Sequence, residues 1–236
     1  MLTYNNILDM ACRRKGSEAQ VEALLSPPRS PQALKQIPDS RYLSAFSKKV
    51  FQSGFVWRVV EAKWENFENL FWEFNVDKLL LMPDEMLEQR ALDKRIIRNQ
   101  KKVWAIQENA MMIDVTRRLH QSSFADFIAD WPVDDITGLW LYLKKHGCRL
   151  GGNTGPYALR TLGKDTFLFT RDVEGYLREH EIVETGITTR SALANAQRFF
   201  NNLQQSSGRS LTELSQLVSL SHGENRAGVR QQEPSN

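Results

Sequence analysis

The chain has 236 residues, with 31 lysines and arginines against 28 acids and a formal net charge of +3. That length suits one large domain or two small lobes, with an ordinary apolar content for a packed core. No apolar run approaches bilayer length, the start Met1-Leu2-Thr3-Tyr4-Asn5 has no signal-like core, and only two cysteines and four scattered histidines occur. We therefore expect a cytoplasmic protein with no membrane segment, disulfide, metal site or cofactor.

The pattern is helical nearly throughout. Leu34 to Gln52 and Gly54 to Lys63 carry apolar residues at three- and four-residue spacing, and Asn66 to Phe74 continues it with Phe67, Leu70, Phe71 and Phe74. Pro83-Asp84-Glu85 opens a short helix. Asn99 is placed to cap a long helix, Gln100 to Leu119, with an inner face of Val103, Ile106, Ala110, Ile113 and Leu119. Ser122-Ser123 starts a helix through Ile128, and Asp135 precedes one from Ile136 to His146 that stops at Gly147. No segment alternates as a strand does, so the fold class expected is all-α. Ser26 to Pro31 reads as a linker, and the chain from about Ser206 is polar and small-residue rich. The expected division is an N-terminal helical extension and linker over 1–31, a main domain over 32–205, and a largely disordered tail over 206–236 with one short helix from Thr212 to Leu220.

Basic residues gather at Lys94-Arg95, Arg98 and Lys101-Lys102, at Arg117-Arg118, and at Lys144-Lys145-His146 with Arg149. Such clusters serve either as solvated helix faces or as seats for a phosphate backbone. The last of them leads into Leu150-Gly151-Gly152-Asn153-Thr154-Gly155-Pro156-Tyr157. Glycines there let the backbone turn tightly and approach a ligand. A helix from Pro156 to Leu162 would then present free N–H groups and a positive dipole end, which together suit a phosphate. A plain helix–helix turn is the alternative. A dinucleotide site would need a preceding strand, which the pattern lacks.

This segment resembles the hairpin of the helix–hairpin–helix DNA glycosylases, whose pattern reads Leu-Pro-Gly-Val-Gly before a helix. Gly152-Asn153-Thr154 followed by Tyr157 is similar to the 3-methyladenine DNA glycosylase I branch. Two further blocks share that likeness. One is Gln52-Ser53-Gly54-Phe55-Val56-Trp57 with Lys63, Glu65-Asn66-Phe67, Phe71 and Phe74. The other is Ile96-Ile97-Arg98-Asn99 with Lys102-Val103, Ala105-Ile106 and Asn109-Ala110. The matches keep their order from about Asp39 to Asp172.

The resemblance implies an all-α glycosylase domain with a cleft between two helical lobes. It implies a monomer acting on double-stranded DNA that contains damaged bases, such as 3-methyladenine. Trp57 would stack on the extruded base, with Gln52 beside it. Gly54 and Phe55 would form a wedge in the DNA gap. Gly151, Gly152, Asn153, Thr154, Gly155, Tyr157 and Lys145 would hold phosphate. Asp172 matches the catalytic aspartate of the wider superfamily, where a carboxylate stabilises the oxocarbenium sugar and orients water. Core packing of Trp57 and Phe55, and helix capping by Asp172, are the competing readings. Bifunctional relatives carry a hairpin lysine where this chain has Gly155-Pro156, so the implied enzyme is monofunctional.

The chain departs from the branch in three respects. The zinc-binding cysteines and histidines are missing, as is the Tyr-His-Asp segment. The branch's pocket acid falls at Lys48-Lys49, which puts Lys49 in the expected pocket, where a lysine repels a cationic base. A different damaged base stays open, as does a catalytically silent protein that recognises damaged or bent DNA.

Overall fold

In a computed structural model, residues 3–184 and 186–223 are described. The far end of the expected tail, 224–236, lies outside the described residues. Among the described residues, fourteen α-helices run in the order α1 (Tyr4–Lys15), α2 (Glu18–Glu22), α3 (Pro31–Lys35), α4 (Asp39–Gln52), α5 (Trp57–Leu70), α6 (Val76–Leu80), α7 (Asp84–Ala91), α8 (Gln100–His120), α9 (Phe124–Asp130), α10 (Ile136–His146), α11 (Thr154–Leu162), α12 (Arg171–Glu179), α13 (Arg190–Ser207) and α14 (Leu211–Ser221). The fold is all-α, with no strand among the described residues.

The helix ends follow local chemistry. Ser30 caps α3 with Pro31 at its first position, and Pro38 precedes α4 in extended backbone. The single helix expected from Leu34 to Gln52 is therefore broken, because the residue before a proline is held out of the helical region. The helical pattern expected over 54–63 and continued over 66–74 forms one helix, α5, since no breaker lies between Trp57 and Leu70. That helix ends where Trp72, Glu73 and Phe74 take left-handed backbone, with φ of 51°, 55° and 57°. Such backbone costs about 1 kcal/mol per non-glycine residue. The turn buries Phe74 flat against Trp64, at 5.4 Å and 7° between planes, and that burial offsets the cost. Asn99 caps α8 by accepting from the Lys102 amide at 3.2 Å. Val103, Ile106, Ala110 and Ile113 are buried as expected, but Leu119 is exposed. Six residues beyond Ile113 it has rotated about 240° around the axis and left the inner stripe.

The chain packs as two compact units, Arg29–Lys164 and Met1–Pro28 with Asp165–Asn236. The expected span 32–205 is thus divided between them. In the unit Arg29–Lys164, α4 packs against α5, α8, α9 and α11. Its core is aromatic: Trp64 stacks on Phe67 at 4.9 Å, and Tyr42 and Phe46 meet the Phe124 ring edge-on at 5.6 and 5.9 Å. In the other unit, α1, α12 and α13 each pack on α14, and Phe167 stacks on Phe200 at 4.4 Å. The helix α14 coincides closely with the one read in the tail. It is doubly capped, by a Ser210–Glu213 capping box and by Asp165, whose carboxylate accepts from the Leu211 and Thr212 amides at 3.2 and 2.8 Å.

Candidate functional site: an aromatic cleft beside the hairpin

The C-terminus of α4, the start of α5 and the start of α11 meet within the unit Arg29–Lys164. They enclose an open cleft of about 180 Å³ lined by Lys49, Gln52, Ser53, Trp57, Asn153, Thr154 and Tyr157. The expected base-pocket residues Trp57, Gln52 and Lys49 are brought together with three of the expected hairpin residues. Ser53 was not anticipated. A larger cleft, lined by Tyr4, Ile182, Phe199, Asn202 and Leu203, lies in the other unit and has no charged side chain.

Trp57 is the first residue of α5, and 51% of its surface is exposed. It is not a core residue. Its ring meets Tyr157 edge-on at 6.0 Å and 85°, and the Lys49 ammonium lies 4.7 Å from its centroid. That distance is within the range of a cation–π contact. Burial lowers the pKa of Lys49 and raises that of the Tyr157 phenol. The phenol therefore stays protonated, and a donor, at neutral pH.

Gln52 closes the floor of the cleft at 3% exposure. Its amide nitrogen donates to Glu61 Oε1 at 2.8 Å, while its Oε1 is buried and without a partner. Glu61 also takes the Lys48 ammonium at 2.6 Å. Glu61 went unnoticed in the sequence because it lies nine positions beyond Gln52, on a different helix.

Between α4 and α5 the chain turns at Ser53-Gly54, with Gly54 at φ 77° and open space around it. Phe55 is 42% exposed at the tip. The turn is held from below by Lys102 on α8. Its Nζ donates to the Phe51 and Ser53 carbonyls at 3.2 and 2.5 Å and lies 4.7 Å from the Phe55 ring centre. Lys102 is buried, which corrects its reading as part of an exposed basic cluster. It supplies the donors that the C-terminus of α4 lacks.

The other basic clusters also separate. Arg117 is engaged by Asp77, Asp114 and Asp39, Arg118 by Asp114, and Arg95 by Asp93. Lys144, Lys145 and Arg149 remain exposed, with no carboxylate in ion-pair range among the described residues.

Those three cations flank the hairpin between α10 and α11. Buried Asn109 on α8 ties down its approach, donating to the Cys148 carbonyl at 3.1 Å and accepting from the Cys148 amide at 2.8 Å. The Gly155 amide donates to the Leu150 carbonyl at 3.1 Å, and a Cβ on Gly155 would lie 2.7 Å from that oxygen. The hairpin therefore closes only around glycine there. Gly152 has φ 59° and open surroundings. The amides of Gly151 and Gly152 find no partner among the described residues. The helix begins at Thr154, two residues before the expected Pro156, and Pro156 still falls in its first turn, where no N–H is needed.

Asp172 lies in the other unit, as the second residue of α12. The cap of that helix is Thr170, which accepts from the Val173 amide, and this corrects the capping alternative for Asp172. Asp172 accepts from Ser219 Oγ at 3.4 Å. Among the described residues no group of three or more His, Cys, Asp or Glu side chains could hold a metal ion, and no helix is long and apolar enough to cross a membrane.

Comparison with known proteins gives one family match and several similar structures. The model of the methyladenine glycosylase family matches residues 36–138, which include the whole of the α4–α5 turn and end before the hairpin. Among solved structures, the chain is similar to a 3-methyladenine DNA glycosylase I at 24% identity and a TM-score of 0.46, covering 58% of this chain and 81% of that one. A single-residue variant of 3-methyladenine DNA glycosylase I in complex with 3-methyladenine gives 22% identity and a TM-score of 0.45, with 58% and 80% covered. The enzyme from Staphylococcus aureus gives 22% and 0.45, with 58% and 79% covered. No curated protein matches significantly. The family match thus covers 103 of the 236 residues, less than half of the chain.

Proposed function

We propose that this protein is a monofunctional DNA glycosylase, which binds duplex DNA as a monomer, takes a damaged base out of the stack and hydrolyses its N-glycosidic bond. The observation that carries this reading is the half-exposed Trp57 indole, opposed by Tyr157 above the buried amide of Gln52. Core packing does not account for an indole this exposed, and an extruded base needs a flat apolar surface with a few polar groups at its edge. The family match supports the chemistry. Phe55 fits the part of a wedge that fills the place of the extruded base. The free amides of Gly151 and Gly152, with Lys144, Lys145 and Arg149, fit a phosphate anchor that reads backbone and not sequence. No lysine stands in the hairpin, so the expected product is an abasic site and not a nick. Such an enzyme would work in the cytoplasm, where bacterial DNA is found.

The test is base release, followed by mass spectrometry, from methylated and from deaminated duplex DNA. Wild type is compared with Trp57→Ala and Asp172→Asn. Release that falls with Trp57→Ala, and leaves abasic sites with no borohydride-trapped adduct, is the expected result. A sharp loss in Asp172→Asn with DNA binding retained would make Asp172 the carboxylate of the reaction. Unchanged release would leave Asp172 a structural role, facing Ser219 and Lys15. Salt-sensitive binding with no base released from any substrate would overturn the glycosylase reading in favour of a silent DNA-binding protein.

A further inference from the structure

Two groups in the cleft have no hydrogen-bonding partner among the described residues. One is the Lys49 ammonium. It covers the Trp57 face, and no carboxylate lies within ion-pair distance of it among the described residues, because the nearby Glu61 is held by Lys48 and by Gln52. The other is Gln52 Oε1, a buried acceptor with no donor. A buried unpaired amide oxygen costs about 1–3 kcal/mol unless a ligand completes it. The Gln52 amide cannot flip to place its nitrogen there, since that would turn its oxygen toward the Glu61 carboxylate.

A ligand that satisfies both groups must bring an acceptor for Lys49 and an N–H donor for Gln52 Oε1. A base that is positively charged through alkylation is disfavoured by its charge, because it would be stacked against an indole already covered by a cation. We propose that Lys49 and Gln52 select a neutral lactam base, with a carbonyl beside a ring N–H as in hypoxanthine and uracil, over a cationic alkylated one. The proposal rests on the glycosylase reading above and names its substrate class.

Leaving-group chemistry points the same way. When the bond between C1′ and a neutral base breaks, the electron pair goes to the base, which departs as an anion with its charge spread onto the carbonyl oxygen. The Lys49 N–H donates to that oxygen most strongly as the charge develops. Water supplies hydroxide to C1′, and its remaining proton goes to the departing base or to solvent. A cationic base departs neutral, so a pocket ammonium offers it nothing in the transition state and repels it in the ground state.

The experiment measures single-turnover base release from duplexes carrying hypoxanthine, uracil or a cationic methylated purine. Wild type is set beside Lys49→Met, Lys49→Arg and Lys49→Glu, each checked for folding by its melting curve. We expect wild type to favour the lactam bases and Lys49→Met to lose lactam release on the order of 100-fold, as for removal of a transition-state donor. Lys49→Arg should keep the preference, and Lys49→Glu should reverse it. Preferred release of the cationic base by wild type, or a preference unchanged in Lys49→Met, would overturn the lactam inference and leave the glycosylase standing. Failure to release any base would overturn both.

Discussion

The Lys49 ammonium lies 4.7 Å from the centre of the Trp57 ring, with Tyr157 edge-on to the same ring at 6.0 Å. A half-exposed indole is thus fixed by two neighbours from different helices, and the face that it presents is preorganised. Trp57→Ala should weaken binding of an extruded base by about 1–3 kcal/mol, the usual worth of a base–aromatic stack. Because the ring is outside the core, the melting temperature should hardly move. Titration with a lesion-bearing duplex, beside a melting curve, checks both. An unchanged affinity would remove Trp57 from the pocket.

Lys102 is a buried cation used as a structural clamp on the α4–α5 turn. Replacing it with methionine keeps the aliphatic stem and leaves the Phe51 and Ser53 carbonyls without their charged donor. We expect a loss of about 1.5–3 kcal/mol in denaturant unfolding, the range for hydrogen bonds to charged groups. Amide exchange over residues 53–56 should rise with it. An unshifted unfolding midpoint would show that water replaces the ammonium at no cost.

The hairpin glycines should respond differently to the same substitution. A Cβ on Gly155 would meet the Leu150 carbonyl at 2.7 Å, so Gly155→Ala must displace the turn. It should cost about 1–3 kcal/mol of stability, as overpacking does, and weaken DNA binding. Gly152→Ala meets nothing and bears only the left-handed backbone penalty of about 1 kcal/mol. Unfolding and DNA titration of the two variants side by side decide the point. Equal effects would contradict the packing described for Gly155.

Cys148 precedes the hairpin, and burial, with a hydrogen bond to Glu108, pushes its thiol up from 9.0 to about 11. The folded value lies above the unfolded one, so folding favours the protonated thiol. This contribution to stability is complete below the ordinary thiol value and is lost as the pH rises toward about 11. In a Cys12→Ser background, alkylation by iodoacetamide at pH 8 should be far slower in the folded than in the unfolded protein, because little thiolate is present. Equal rates would mean that Cys148 is neither buried nor paired with Glu108.

By itself the sequence determined the helical class and several helix ends, because caps and breakers act within a few residues. Asn99 starts α8, Gly147 follows the end of α10, and Gly155-Pro156 falls in the first turn of α11. The Gln52 to Trp57 block and the hairpin were also legible, since their residue types and spacing survive as a pattern along the chain. Only the tertiary structure decided what lies beside what. It turned Lys102 from a surface cation into a buried clamp and tied the hairpin's approach to Asn109. It paired Gln52 with Glu61, and so left one amide oxygen unsatisfied beside Lys49. Periodicity describes which face of a helix is apolar, but not which residue of a distant helix meets it. Partners for buried polar groups are chosen across that distance, and the chemistry of this cleft depends on those partners.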